Sequence, residues 1–374
     1  MPLTHIADLP TPAVLVETSR VTRNLSRMQA RANAHGLRLR PHAKTHKSIT
    51  IGALQIERGA VGICCAKLGE AEVFADAGFV DIRLPYPLHP VNADRVFALA
   101  ERVTLSFIVD DPAIAQAWSD LAVRRGRRLE VLVKVDVGFH RCGIDPESAA
   151  APGTIRAVAA MEGLTFRGLL SHAGNGYGAK SEREVRAVAV REAEIMRDLV
   201  ALAQVRCEEI SVGATPTARF SADEDGITEL RPGNYAYFDR TQVGLGAATW
   251  DDCALTVLAR VVSRPAGDRV ILDSGSKTLT NDGARGFTDM PGHGAVLRDP
   301  FIAEPDPALV IERLSEEHAN VRVIEGETRL ATGDLVRIVP NHSCVVSNLV
   351  DHVWLVDGDA VVERLPVAAR GRIT

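Results

Sequence analysis

Eight short apolar, β-rich segments recur between residues 37 and 231 of this 374-residue chain, and stretches with helical spacing of apolar residues alternate with them. The strand candidates are Leu37–Pro41, Val61–Ala66, Asp81–Pro85, Leu105–Val109, Glu130–Val135, Phe166–Ser171, Glu209–Val212 and Glu229–Arg231. The helical candidates are Val21–His35, Ile49–Glu57, Leu68–Ala77, Pro90–Ala100, Asp111–Arg125, Glu147–Met161 and Glu182–Val205. A helix between two strands is long enough to carry the chain back, so successive strands run parallel. Eight such units in about 200 residues predict an α/β fold, a (β/α)8 TIM-like barrel. Spacing alone also allows a doubly wound sheet. The last unit is the weakest, being short with Pro232 beside it.

Beyond about residue 240 the long helical spacings stop. Leu255–Ser263, Arg269–Asp273, Ala319–Val323, Leu335–Val339, Asp351–Val356 and Ala360–Leu365 read as strands, with polar turns at Pro265–Asp268 and Asp357–Asp359. This texture predicts a mostly antiparallel β domain. The expected boundaries are 15–240 for the barrel and 241–374, together with 1–14, for the β domain. Gly275–Gly294 is glycine-rich with little periodicity and reads as one long loop, a kind that is often functional. Hydrophobic residues at 46% and charged residues at 24% exclude disordered, collagen-like and coiled-coil chains. A net charge of −5 argues against a nucleic-acid binder, which needs a basic face. No apolar run approaches the ~20 residues of a membrane span. The start, MPLTHIADLPTPAV, lacks the basic and apolar regions of a signal peptide. The expectation is a cytoplasmic protein with no membrane or nucleic-acid partner. Its six cysteines form no CxxC pair and predict no disulfide framework.

In a parallel barrel, reactive groups gather past the C-terminal ends of the strands. There the sequence places PHAKTHK (41–47), DVGFHRCG (136–143), SHAGN (171–175), SVGATPT (211–217) and RPGNY (231–235). Crowded by His42, His46 and Lys47, Lys44 should lose part of its proton affinity. A neutral amine can attack a carbonyl. A lone lysine in a loop is more commonly just solvated. Gly213–Thr215 and Gly233–Asn234 can present backbone N–H groups and the Thr215 hydroxyl to an anion, although turn glycines taken singly are ordinary. A lysine joined to an anion cradle points to a phosphorylated aldehyde cofactor, pyridoxal 5′-phosphate.

These motifs resemble the fold-type III pyridoxal-phosphate enzymes, which pair an alanine-racemase-like barrel with a C-terminal β domain. Within them the chain is similar to the D-serine dehydratase and D-threonine aldolase group. The resemblance covers nearly the whole chain. It rests on LPTPAVLVE (9–17), RPHAKTHK (40–47), GICCAKLGEAEVFADAG (62–78), VDVGFHRCG (135–143), RPGNYAYFD (231–239), LDSGSK (272–277), PNHSC (340–344) and VAARG (367–371). It implies that Lys44, rather than Lys47, forms the Schiff base. It implies that Arg141 bonds the cofactor's phenolic oxygen and that His172 lies beside the pyridine ring. Gly213, Ala214, Thr215, Gly233 and Asn234 would hold the phosphate, and Tyr235 is grouped with these cofactor-binding residues. Arg231 matches the arginine that faces the pyridine nitrogen in alanine racemases, at a position that varies within the dehydratase and aldolase group. Leu170 stands where the dehydratases carry a tyrosine. The resemblance also implies a homodimer.

His342 and Cys344 form the second constellation. By spacing alone they read as a loop histidine and a buried cysteine. The resemblance implies a divalent-metal pair. One imidazole and one thiolate suit Zn2+ better than Mn2+ and leave open positions for substrate. In the dehydratases this pair is His and Cys, whereas in the aldolases it is His and Asp, so Cys344 tilts the reading towards dehydration. His318 falls where relatives also carry a histidine. The implied activity is a pyridoxal-phosphate- and metal-dependent lyase acting on β-hydroxy D-amino acids, favoured as a dehydratase that yields a 2-oxo acid and ammonia. The alternative is retro-aldol cleavage of D-threonine type to glycine and an aldehyde. An amino-acid racemase would need no metal, so PNHSC argues against it. A pyridoxal-phosphate carrier would be a single barrel without the β domain.

Overall fold

The computed structural model describes residues 4–324 and 328–374. After a buried strand β1 (Ala13–Glu17) and helix α1 (Thr18–Ala34) come eight parallel strands. These are β2 (Arg38–Leu39), β3 (Ile63–Cys64), β4 (Asp81–Pro87), β5 (Thr104–Val109), β6 (Leu129–Lys134), β7 (Leu164–Leu170), β8 (Glu209–Val212) and β9 (Glu229–Leu230). Each overlaps one of the eight segments read from the sequence. Their order is β2-β9-β8-β7-β6-β5-β4-β3, and the two ends meet. The Val61 N–H donates to Leu39 O (2.9 Å), the Cys64 N–H donates to Pro41 O (2.8 Å), and His42 bridges Cys64 in parallel. The sheet is therefore a ring, which removes the doubly wound alternative.

Helices α2 (Ile49–Glu57), α3 (Leu68–Asp76), α4 (Ala93–Ala100), α5 (Pro112–Arg124), α6 (Ala151–Ala160) and α7 (Glu182–Ala203) alternate with these strands. Their apolar faces pack on the ring: Phe74, Val96, Trp118, Ile155 and Leu199 share one core with Ile82, Leu105, Val131 and Leu169. Fully burying one such side chain is worth about 1.5–3 kcal/mol. The β5 run Leu105–Val109 is buried throughout because a barrel strand is covered on both faces. The lower barrel interior is polar. Arg83 donates to Glu229 Oε1 (2.5 Å) and Glu209 Oε2 (2.5 Å), and Arg40 Nε donates to Glu229 Oε2 (2.9 Å).

The second sheet holds β1 and nine later strands. These are β10 (Leu255–Ala266), β11 (Arg269–Leu272), β12 (Ala295–Asp299), β13 (Ile302–Pro305), β14 (Leu309–Leu314), β15 (Ala319–Val323), β16 (Leu335–Val339), β17 (His352–Asp357) and β18 (Ala360–Pro366). Apart from the parallel β1–β17 pair, its pairings are antiparallel. Residues 15–17, read with the barrel in the sequence, lie in β1 between β10 and β17. The sequence reading did not mark β12, β13 and β14. Pro300, Pro305 and Pro307 punctuate that stretch, and β13 is half-exposed along its length, so its pattern is weak. Gly275–Gly294 contains a helical turn, Ser276–Leu279, followed by irregular backbone. Among the described residues no helix is long and apolar enough to cross a membrane.

Candidate active site

A cavity of about 370 Å3 opens at the C-terminal ends of the barrel strands. That size suits a small cofactor with its substrate. Lys44, Arg141, Leu170, His172, Gly213, Ala214, Thr215, Arg231, Gly233 and Asn234 line it from the barrel, and His342 and Cys344 line it from the second half. Tyr235 does not. Its phenol is buried behind the wall and accepts from Gln55 Nε2 (3.0 Å), which leaves only its backbone near the cavity turn. His318 is exposed in the turn between β14 and β15, away from the cavity.

Lys44 sits in the 310 turn Ala43–Thr45, whose entry is capped by His42 Nδ1 accepting from the Lys44 N–H (3.4 Å). Burial depresses the Lys44 pKa; Cys344 opposes this, while Arg141 adds to the depression. Three residues on, Lys47 has a left-handed backbone (φ 46°) and turns outwards from the cavity. It is 7% exposed, with Nζ 3.9 Å from Glu70 Oε2. Of the two lysines of PHAKTHK, only Lys44 opens onto the cavity.

His172 Nδ1 lies 3.2 Å from Gly213 O, and the ring meets Phe139 edge-on at 5.7 Å. A carbonyl only accepts, so Nδ1 carries the proton and Nε2 is left as an acceptor. Burial, reinforced by Lys44, holds the ring's pKa well below the usual histidine value. Arg231 is anchored in the floor: Nε donates to Ser211 Oγ (2.7 Å) and Nη2 donates to the carbonyls of Ser171 and Ser211. Arg141 stacks over Phe139 at 5.2 Å.

Lining the same cavity, the Thr215 hydroxyl is buried without a partner among the described residues. A buried hydroxyl with no acceptor costs stability unless something fills the site. Gly213 beside it has φ +122°. At Gly233 a Cβ would lie 3.0 Å from His42 Cβ and O, so any larger residue would press the turn away from the Lys44 turn. The next two amides, Asn234 and Tyr235, open a 310 turn and have no acceptor within it. An orphaned hydroxyl, free turn amides and a buried amine fit a phosphorylated aldehyde.

His342 has extended backbone, whereas Ser343–Leu349 is helical, so the H-x-C pair straddles a strand-to-helix junction rather than lying in a strand. The His342 Nδ1 is 2.7 Å from Asp282 Oδ2. Since a carboxylate accepts, Nδ1 donates and Nε2 is the ligand-capable nitrogen. Burial alone would lower the imidazole pKa, but hydrogen bonding and the charge of Cys344 push it up to about 10. Burial likewise raises the Cys344 thiol, but His342 outweighs it and the net shift is downwards. A thiol with a lowered pKa beside an oriented imidazole is a donor set for a divalent ion, which binds as the two groups give up their protons. Among the described residues, no three His, Cys, Asp or Glu groups gather around one point as a complete metal site. The fit is therefore two protein ligands with positions left open.

Sequence reasoning missed several residues of the cavity. Lys134 is 3% exposed at the end of β6, its Nζ donates to Val135 O (3.0 Å), and burial together with Arg231 brings its pKa down to about 7. It adjoins the quoted VDVGFHRCG motif, and its place at a strand end was the available signal. Asp239 closes RPGNYAYFD. Asp282 and Arg285 belong to the glycine-rich loop, where composition marks a functional segment without choosing residues.

Comparison with known proteins gives two family matches. Residues 16–241 match the alanine racemase N-terminal domain, and residues 254–356 match a serine dehydratase domain. A D-threo-3-hydroxyaspartate dehydratase of Delftia sp. (strain HT23) is 35% identical over 91% of this chain and 92% of its own length. A D-threonine aldolase of Arthrobacter sp. is 34% identical over 98% of this chain and 94% of its own. The solved structure of the Delftia dehydratase superposes with a TM-score of 0.89 at 30% identity, covering 97% of this chain and 98% of that one. That enzyme has also been solved with a histidine replaced by alanine and with the cysteine two positions later replaced by alanine, the latter in a metal-free form.

Proposed function

The chain belongs to the alanine-racemase-like, fold-type III pyridoxal-phosphate family, and from that premise we propose that it is a lyase acting on β-hydroxy D-amino acids, with dehydration as its reaction. The observation that carries this is the meeting of Lys44 from the barrel and Cys344 from the second half in one cavity.

Pyridoxal 5′-phosphate, when bound, supplies an electron sink that acidifies the Cα–H bond of an amino acid. The Thr215 hydroxyl and the amides of the Gly213 and Gly233 turns would hold its phosphate, Arg141 its phenolic oxygen, and His172 its ring. A divalent ion on His342 and Cys344 would supply Lewis acidity at the substrate's β-hydroxyl. Lys44 Nζ, kept short of protons by burial, is positioned as the base that takes the Cα proton. Loss of the β-hydroxyl then leads to a 2-oxo acid and ammonia. Neutral His172 carries no charge that would compete with the cations for the cofactor's anionic groups. Asp282 holds His342 in one tautomer and so fixes which nitrogen meets the metal.

Dehydration is favoured over retro-aldol cleavage because residue 344 is cysteine rather than aspartate. The relatives include both activities. The pure protein, supplied with cofactor and with zinc or manganese, is to be incubated with both β-epimers of D-threonine and with D-threo-3-hydroxyaspartate. Dominant 2-oxo acid supports dehydration. Dominant glycine makes the enzyme an aldolase and removes the argument from Cys344. We further propose a homodimer in which the partner covers the cavity mouth.

A further inference from the structure

The phosphate-side turn and the metal-side loop share one buried hydrogen-bond node. Asp239 is 1% exposed. Its Oδ1 accepts from the Gln242 N–H (3.0 Å), which caps the short helix Arg240–Gly244. Its Oδ2 accepts from Asn234 Nδ2 (2.6 Å), from the Ser343 N–H (3.0 Å) and from Ser343 Oγ (3.2 Å). Asn234 Nδ2 also lies 3.1 Å from Ser343 Oγ and 3.4 Å from Cys344 Sγ. A carboxamide nitrogen has two hydrogens, and here three acceptors compete for them. The other end of that carboxamide, Oδ1, is buried without a partner. Asn234 is therefore held between the turn that would grip phosphate and the loop that would grip metal, with neither side fully served.

We propose that Asp239 is a positioning residue, and that its node makes cofactor and metal bind cooperatively, each raising the protein's affinity for the other. This rests on the functional reading above. The direction of the effect follows from the hydrogen count. An ion on Cys344 Sγ takes one sulfur lone pair and draws off part of the sulfur's negative charge, which weakens its pull on Asn234. The two amide hydrogens then settle on Asp239 and Ser343, which fixes Asn234 and the turn it opens. Phosphate on the backbone amides of that turn fixes the same residue from the other side. Through Asp239 it also orders the Ser343 N–H, at the first turn of the helix that carries Cys344. Thermodynamic linkage requires the two effects to be equal.

The test titrates apoprotein with pyridoxal 5′-phosphate, read by its visible absorbance, in chelator, in zinc and in manganese. Metal affinity is measured by chelator competition with and without the cofactor. For the wild type, at least one metal should tighten cofactor binding about five-fold or more, and cofactor should tighten that metal by the same factor. In Asp239→Asn both ligands should still bind while the factor falls towards one. Ser343→Ala, which deletes only the hydroxyl, should lower it partway; it stands in if circular dichroism shows Asp239→Asn to be unfolded. A wild-type factor of one with both metals overturns the proposal, as does an unchanged factor in a folded variant. Wild-type protein that binds no cofactor under any condition sinks the functional reading itself. Cofactor binding that ignores metal sinks the coupling alone.

Discussion

Lys44 and Lys47 share one motif and both feel Glu70, yet only Lys44 lines the cavity. One faces the cavity with a depressed pKa; the other is buried 3.9 Å from a carboxylate. Lys44→Ala should abolish the visible absorption of bound cofactor, whereas Lys47→Ala should retain it. The reverse result would exchange their roles. Cys344→Ala should lower bound metal, measured by elemental analysis, and 2-oxo acid formation together; an active variant without metal would refute the metal role. At this scale the sequence was informative where chemistry clusters in unusual runs, as in PHAKTHK and PNHSC. It was silent on Asp239 and Asp282. Asp239 lies 104 positions from Ser343 and Asp282 lies 60 from His342, and an acidic residue near a glycine or an aromatic looks like any turn residue until the fold brings such a partner to it. Tyr235 shows the opposite failure: its neighbours in RPGNY reach the cavity, but its own phenol turns to Gln55.

At the scale of elements, the barrel strands were legible through short runs rich in apolar residues, as in Leu105–Val109, since both of their faces are covered. The polar interior was not legible. Arg40, Arg83 and Glu229 alternate with apolar residues and read as exposed, whereas they form a buried, mutually paired network. Burial alone would raise the Glu229 carboxyl, but Arg83 and Arg40 outweigh it and hold it down to about 2. A carboxylate depressed on folding contributes stability that is fully present above its ordinary value of 4.5 and is lost as pH falls towards 2. Glu229→Gln should therefore flatten the acid limb of the stability profile measured by urea denaturation at stepped pH; an unchanged limb would show that other carboxylates govern it. Arg83→Met at neutral pH removes one partner from each of two buried carboxylates, leaving Glu229 to Arg40 and Glu209 to Arg167, and should cost about 3–5 kcal/mol. A loss under about 1 kcal/mol, the size of an exposed pair, would mean water reaches the network.

Over the whole molecule, barrel and sheet each have their own core, and the cavity lies where they meet. Phe139, which lines the cavity, is 37% exposed. A second copy covering the mouth would bury it. Light scattering should give twice the monomer mass; a monomer at micromolar concentration would mean that the cavity is complete within one chain. The β-rich second half was the harder to read, since β12–β14 lie among prolines and only half their side chains face a core.

The turn that carries Lys44 is gripped from the other half of the chain. Ser347 Oγ donates to Thr45 O, and Thr45 Oγ1 lies 3.2 Å from Cys344 Sγ across 299 positions of sequence. Two ancestors that recombined between their halves would pass on a Thr45 and a Cys344 shaped in separate histories, and the offspring would lose the grip. Point changes at outer positions such as Val80 and Val91, which are exposed and touch neither side of that grip, carry no such penalty. Lineages with this architecture are therefore free to diversify by substitution on the outer surface, while their two halves descend together.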